Sequence, residues 1–120
     1  MIRHIILFKV KSNVSDNEIE SAVAKMCALK GKLSGLLSCV GGECQFHDEK
    51  STSFFSSAVS HSITMDFKNK IARDIFLNDP ITNPAKDAIV NIATFGYQDI
   101  VGFDMDDSSN TPIEDWSNSK

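Results

Sequence analysis

Few side chains in this 120-residue chain titrate near neutrality. The histidines are His4, His47 and His61, and imidazole is the usual group for proton transfer around pH 7. His4 lies among Ile2, Ile6 and Phe8, and His61 among Val59, Ile63 and Met65, both at two-residue spacing. Strand periodicity turns each histidine toward a covered face. There the pair would line a cavity, orienting a ligand or exchanging a proton; the plainer reading is two satisfied core or interface histidines. Asp104 ends the last strand-like run. If the first and last strands are antiparallel neighbours, it either orients His4 or neutralises Arg3. A metal site would need His4, His61 and Asp104 to converge, and no metal is expected. Lys86, in a helix's first turn, reads as a solvated charge, or more sharply as an anion contact. Tyr97 opens the last strand and either lines the cavity or packs. His47 sits in a polar stretch and takes no role.

Other chemistries lack their residues. Cys27, Cys39 and Cys44 form an odd set without a CxxC partner; they read as reduced thiols buried as small hydrophobes in a cytoplasmic protein. Gly41-Gly42 has no GxGxxG or GKS/T continuation, so no nucleotide or other cofactor is expected. The net charge is −4, and four acids against one base place −3 of it within 106–120. The nearly neutral remainder has no electrostatic footprint for nucleic acid or an anionic membrane. The opening residues lack the layout of a signal peptide, and the run Ile5 to Phe8 is far too short to span a bilayer.

The elements that must position these groups follow from pattern. With 42% hydrophobic and 23% charged residues, the chain reads as one globular domain over 1–105 with a polar acidic tail over 106–120. Residues 2–11 alternate as a strand with apolar residues on both faces, which predicts a central position. Ser15 and Glu18 make a capping box, and Ile19, Ala22, Val23, Met26, Leu29 and Leu33 continue as a helix ending near Gly31. Leu37 to Phe46 reads as a weaker strand, bulged or bent at Gly41-Gly42. Phe54-Phe55 tucks back from a polar loop, and a third strand follows over 59–67. Asn69 or Asp66 caps a short helix that Pro80 stops. Asn83 caps the next, with Pro84 as its first helical residue. Tyr97 to Met105 is the last strand, where Gly102 permits close approach of another backbone. Trp116 is a possible anchor for the tail.

Strand, helix, strand, strand, broken helix, strand is the split βαβ, ferredoxin-like order: an α+β fold, one antiparallel four-stranded sheet with helices on one face. The opposite face is then bare. Ile5 and Leu7, and the third strand's Val59, Ile63, Met65 and Phe67, need cover. A two-fold homodimer joining sheet to sheet, a dimeric α/β barrel with a central cavity, meets that need.

The run RHIILFK over 3–9, Leu29-Lys30-Gly31-Lys32, Ser34-Gly35-Leu36-Leu37, Ser60-His61-Ser62 ahead of Met65-Asp66-Phe67, and Phe103-Asp104 fall in one order and spacing. Together they resemble the stress-responsive dimeric A/B barrel family. The resemblance implies a homodimer of ferredoxin-like subunits, an association with stress responses and, for many members, no assigned reaction. A plant member cyclises a polyketide without metal or cofactor, using a tyrosine and the second histidine of His-Pro-x-His. Here that histidine position falls on Lys86 within Asn83-Pro84-Ala85-Lys86, or on Thr82 in the ungapped alternative, and the tyrosine position falls on Phe76. Neither replacement supports that mechanism. The expected function is binding of a small apolar or aromatic molecule by His4, His61, Phe76 and Tyr97, with no established reaction. The alternatives are a cofactor-independent enzyme, cyclase-like or quinone-forming monooxygenase, and a purely structural dimer.

Overall fold

The computed structural model describes residues 1–46 and 57–106. Phe54-Phe55, His47 and Trp116 lie outside the described residues. Four strands, β1 (Ile2–Phe8), β2 (Leu36–Glu43), β3 (His61–Phe67) and β4 (Ile100–Asp106), form one antiparallel sheet in the order β2-β3-β1-β4. The helices α1 (Asp16–Cys27), α2 (Lys70–Asn78) and α3 (Asn83–Ile92) lie on one side of it. The α+β, ferredoxin-like expectation holds, with β1 central as its two apolar faces required.

Local signals account for most boundaries. Ser15 caps α1 by accepting the Glu18 amide at 3.2 Å, while its hydroxyl donates to the Glu18 carboxylate. Asn69, not Asp66, caps α2 through the Ala72 amide. Asn83 is no cap: it is already helical, and the segment before it is a 3-10 turn (Pro80–Thr82) capped by Asp79. Thr82 is fully buried there, and its hydroxyl is spent on the carbonyls of Phe76 and Asp79. The strand β2 runs through Gly41-Gly42 unbroken, and its irregularity falls between Leu36 and Ser38. Gly41 serves packing instead: a Cβ there would stand 2.7 Å from Val23 Cγ1, so its absence lets α1 close on the sheet.

The core is the layer between sheet and helices. Ile2, Ile6 and Phe8 from β1 meet Ile63, Met65 and Phe67 from β3, under Met26, Phe76 and Ile89. Each such side chain stabilises the fold by about 1.5–3 kcal/mol. The apolar residues of β3 are thus covered by the chain's own helices, which corrects their assignment to the bare face. That face carries other residues. Arg3, Ile5 and Leu7 of β1 stand opposite Met105, Phe103 and Val101 of β4, and Val40 of β2 is exposed on the same side. Beside this patch the Asp66 carboxylate accepts Arg3 Nε at 2.7 Å, Arg3 Nη2 at 3.1 Å and Ser38 Oγ at 2.9 Å. The guanidinium of Arg3 holds the Asp66 carboxyl below the usual carboxylate range, against the opposing effect of burial.

Candidate functional site

His4 is buried on the helix side of β1, the side its apolar neighbours select. The register pairs it across the sheet with Asp104, and its Nδ1 lies 2.7 Å from Asp104 Oδ1. Of the two partners open to Asp104, the register therefore selects His4, while Arg3 goes to Asp66. Arg73 of α2 reaches the other oxygen of the same carboxylate. Burial raises the Asp104 pKa, but the hydrogen bonds from His4 and then Arg73 outweigh it and keep the carboxyl ionised below its ordinary value. A carboxylate only accepts, so His4 Nδ1 carries a proton, and in the neutral imidazole Nε2 is the nitrogen with the lone pair.

His4 also borders a cavity. No described residue bonds His4 Nε2, yet among the described residues no buried side-chain nitrogen or oxygen lacks a partner. Nε2 must therefore keep open space beside it. His4 lines a cavity of about 310 Å³ between the sheet and α2 and α3, with Met26, Phe76, Lys86, Ile89 and Tyr97. Gly102 of β4 lies against the imidazole: a Cβ there would sit 3.4 Å from His4 Cε1. The close approach foreseen at Gly102 is by this ring, not by another backbone.

Phe76 is buried with its ring centroid 5.6 Å from that of His4 and 5.6 Å from Phe67. Lys86 Nζ donates to the Phe76 and Leu77 carbonyls at 2.5 and 3.2 Å and lies 4.6 Å from the Phe76 ring centroid. Lys86 is therefore no solvated charge: it closes the C-terminal end of α2, and burial pulls its pKa down from the usual lysine range. Tyr97 sits in a 3-10 turn (Gly96–Asp99) ahead of β4, not in a strand, and is 80% exposed at the cavity's rim.

His61 is not part of this constellation. The antiparallel register sets it opposite Phe8, whereas His4 faces Met65, four residues or about 13 Å along the strand. Its ring stacks on Phe8 at 5.9 Å, and its Nδ1 pairs with Ser60 Oγ at 2.8 Å. It lines a separate recess of about 530 Å³ beside Asp16, Glu20 and Glu43. Burial lowers its pKa, partly offset by Glu43 and Asp16. Both recesses lie within one chain, because the parity that hides the histidines is the helix side; a chamber between two sheets would be lined by the other face. Among the described residues no group of three or more His, Cys, Asp or Glu side chains gathers as a metal site, and no helix is long and apolar enough to cross a membrane.

Two features escaped pattern reasoning. Arg73, the second partner of Asp104, comes from α2 with no spacing signal. Cys27 and Cys39, read as separate small hydrophobes, place their sulfurs 3.1 Å apart.

Among solved structures, a dimeric ferredoxin-like protein of unknown function from Jannaschia sp. CCS1 is 20% identical. It has a TM-score of 0.74, over 88% of this chain and 97% of that one. Hydroxynitrile lyase from Passiflora edulis is 15% identical with a TM-score of 0.72, over 92% and 96% of the two chains. SnoaB, a cofactor-independent oxygenase from Streptomyces nogalater, is 15% identical with a TM-score of 0.65, over 92% and 96%. These likenesses show a shared fold. No curated protein matches the chain. The family model of the stress responsive A/B barrel domain matches residues 2–107, and with that match over nearly the whole chain the protein belongs to this family.

Proposed function

We propose that the protein is a cytoplasmic, stress-associated homodimer. Each subunit binds a small aromatic or apolar molecule bearing a hydroxyl or carbonyl group in the cavity beside His4. One observation carries this reading: an imidazole fixed by Asp104, its Nε2 bonded to no described residue, lines a cavity that Met26, Phe76 and Ile89 make largely apolar. A few polar groups in a mostly apolar hollow, here His4 and Lys86 with Tyr97 at the rim, orient a ligand as well as holding it. About 310 Å³ lies at the small end of ligand pockets, which suits one ring with short substituents. Phe76 and Tyr97 supply aromatic surface; His61, across the sheet, takes no part in this ligand's site. The bare apolar sheet face supports pairing, as does the Jannaschia protein's description as dimeric. Free thiols at Cys27, Cys39 and Cys44 suit a reducing compartment. Asp106, read from composition as the start of the tail, itself ends β4.

The second reading, a cofactor-independent enzyme, draws on the same Asp104–His4 pair. A carboxylate that orients imidazole and stabilises its cation equips Nε2 as a general base for an acidic C–H or O–H. The lyase and oxygenase of similar fold make such chemistry compatible with the architecture. A purely structural dimer leaves the cavity and its directed imidazole without purpose. The test is titration of the isotope-labelled protein with phenol and acetophenone, followed by amide and imidazole resonances. Saturable shifts centred on His4, Phe76 and Gly102, lost in His4→Phe, are expected. Shifts centred on His61 instead, or none at millimolar probe, overturn the assignment. Exchange of the acetophenone methyl protons with solvent deuterium, lost in His4→Phe, would select the enzyme.

A further inference from the structure

Cys27 ends α1 and Cys39 lies in β2, on the face that α1 covers. Their sulfurs stand 3.1 Å apart, with the Cys39 thiol donating to Cys27. Two thiols at this distance need only about 1 Å of further approach to reach an S–S bond of about 2.05 Å. Both are half-buried, so the pair is reachable by a small oxidant while its surroundings hold it in place. Cys44 lies past the end of β2 and is no part of the contact.

We propose that Cys27 and Cys39 are a reversible redox site that hydrogen peroxide converts to an intrachain disulfide. The Cys27 thiolate attacks one peroxide oxygen; the O–O bond breaks, leaving a sulfenic acid on Cys27 and a hydroxide that takes up the Cys27 proton as water. The Cys39 sulfur then attacks the Cys27 sulfur, the S–O bond breaks, and a second water leaves with the Cys39 proton. Two thiols are oxidised by two electrons while one peroxide is reduced to two waters. Cys27 is the attacking sulfur because it receives the hydrogen bond. Cys39 is the resolving thiol: burial, then the hydrogen bond to Cys27, hold its pKa far above the ordinary thiol value. In a reducing compartment the bond is transient, so this is a sensor of oxidant and not a permanent staple.

The whole reduced chain is exposed to hydrogen peroxide, capped with N-ethylmaleimide, and mapped by proteolysis and mass spectrometry. The expected product has lost about 2 Da, carries one maleimide on Cys44, yields a Cys27–Cys39 linked peptide, and reverts with dithiothreitol. Its melting midpoint should rise by roughly 5–10 °C over the reduced form. Cys44→Ser should cross-link as the unaltered chain does, and Cys39→Ser should accumulate a dimedone-reactive sulfenic acid on Cys27. Should Cys39→Ser fail to fold, the map of the unaltered chain decides. Three maleimides with no linkage, a bond to Cys44, a bond between chains, or sulfinic acid on Cys27 beside free Cys39 would each overturn the proposal.

Discussion

Replacing Phe103 by glutamate tests the pairing of subunits at the point where it is most exposed. Phe103 stands opposite Ile5 on the bare face of the sheet and is 45% exposed in the single chain. Fully burying a phenylalanine is worth about 1.5–3 kcal/mol, so covering the exposed portion contributes about 1 kcal/mol per copy. Glutamate forfeits that and adds about 1–3 kcal/mol for a polar group buried without a partner. Two-fold symmetry counts each substitution twice, so the dimer loses about 4–8 kcal/mol, a thousandfold or more in Kd. Sedimentation velocity at micromolar protein should show the unaltered chain near twice 13.2 kDa and Phe103→Glu as a folded monomer by circular dichroism. Ile71→Glu is the control, since Ile71 is 72% exposed on α2, away from the sheet's bare side. A Phe103→Glu chain that still pairs, or an Ile71→Glu chain that does not, refutes the argument.

Two further outcomes follow from particular groups. The His61 imidazole should titrate below 6.5 when its ring proton is followed by NMR. With the folded pKa depressed, stability is whole above the unfolded value and falls as pH drops through the folded one; His61→Gln should flatten that part of the pH–stability curve. Thr82→Val keeps the shape of a fully buried side chain but removes the hydroxyl's bonds to two carbonyls, which keep Lys86 Nζ and the Thr82 amide as donors. It should cost about 0.5–1.5 kcal/mol in urea unfolding; no measurable change would contradict the bonding described.

Much of the fold was legible because it is written in short-range pattern. The alternation over Ile2–Phe8, apolar on both faces, declares a central strand, and Ser15 and Asn69 mark helix starts by satisfying orphan amides. What pattern does not carry is register. Parity turns His4 and His61 to the same side, but only the antiparallel pairing decides that they stand four positions apart. The same pairing gives Asp104 to His4. The bare face was foreseen, and Ile5 and Leu7 on it, but the apolar residues of β3 were misplaced there: parity cannot say which side of β3 the helices will take. Tyr97 was read by strand parity in a segment that is a 3-10 turn, where parity has no meaning. The Cys27–Cys39 contact joins a helix end to a strand, and no interval along the chain encodes such a meeting.

The strand holding His4 is second from one edge of the sheet, and the strand beyond it is the last made. The imidazole and its carboxylate are 100 residues apart in the chain. At roughly 5–20 residues per second on the ribosome, the first waits many seconds for the second. Through that interval the outer margin of β1 has no hydrogen-bonding neighbour and invites pairing with any passing nascent chain. Translation stopped short of residue 100 would release a polypeptide with a sticky margin and an unanchored imidazole, a client for chaperones and proteases.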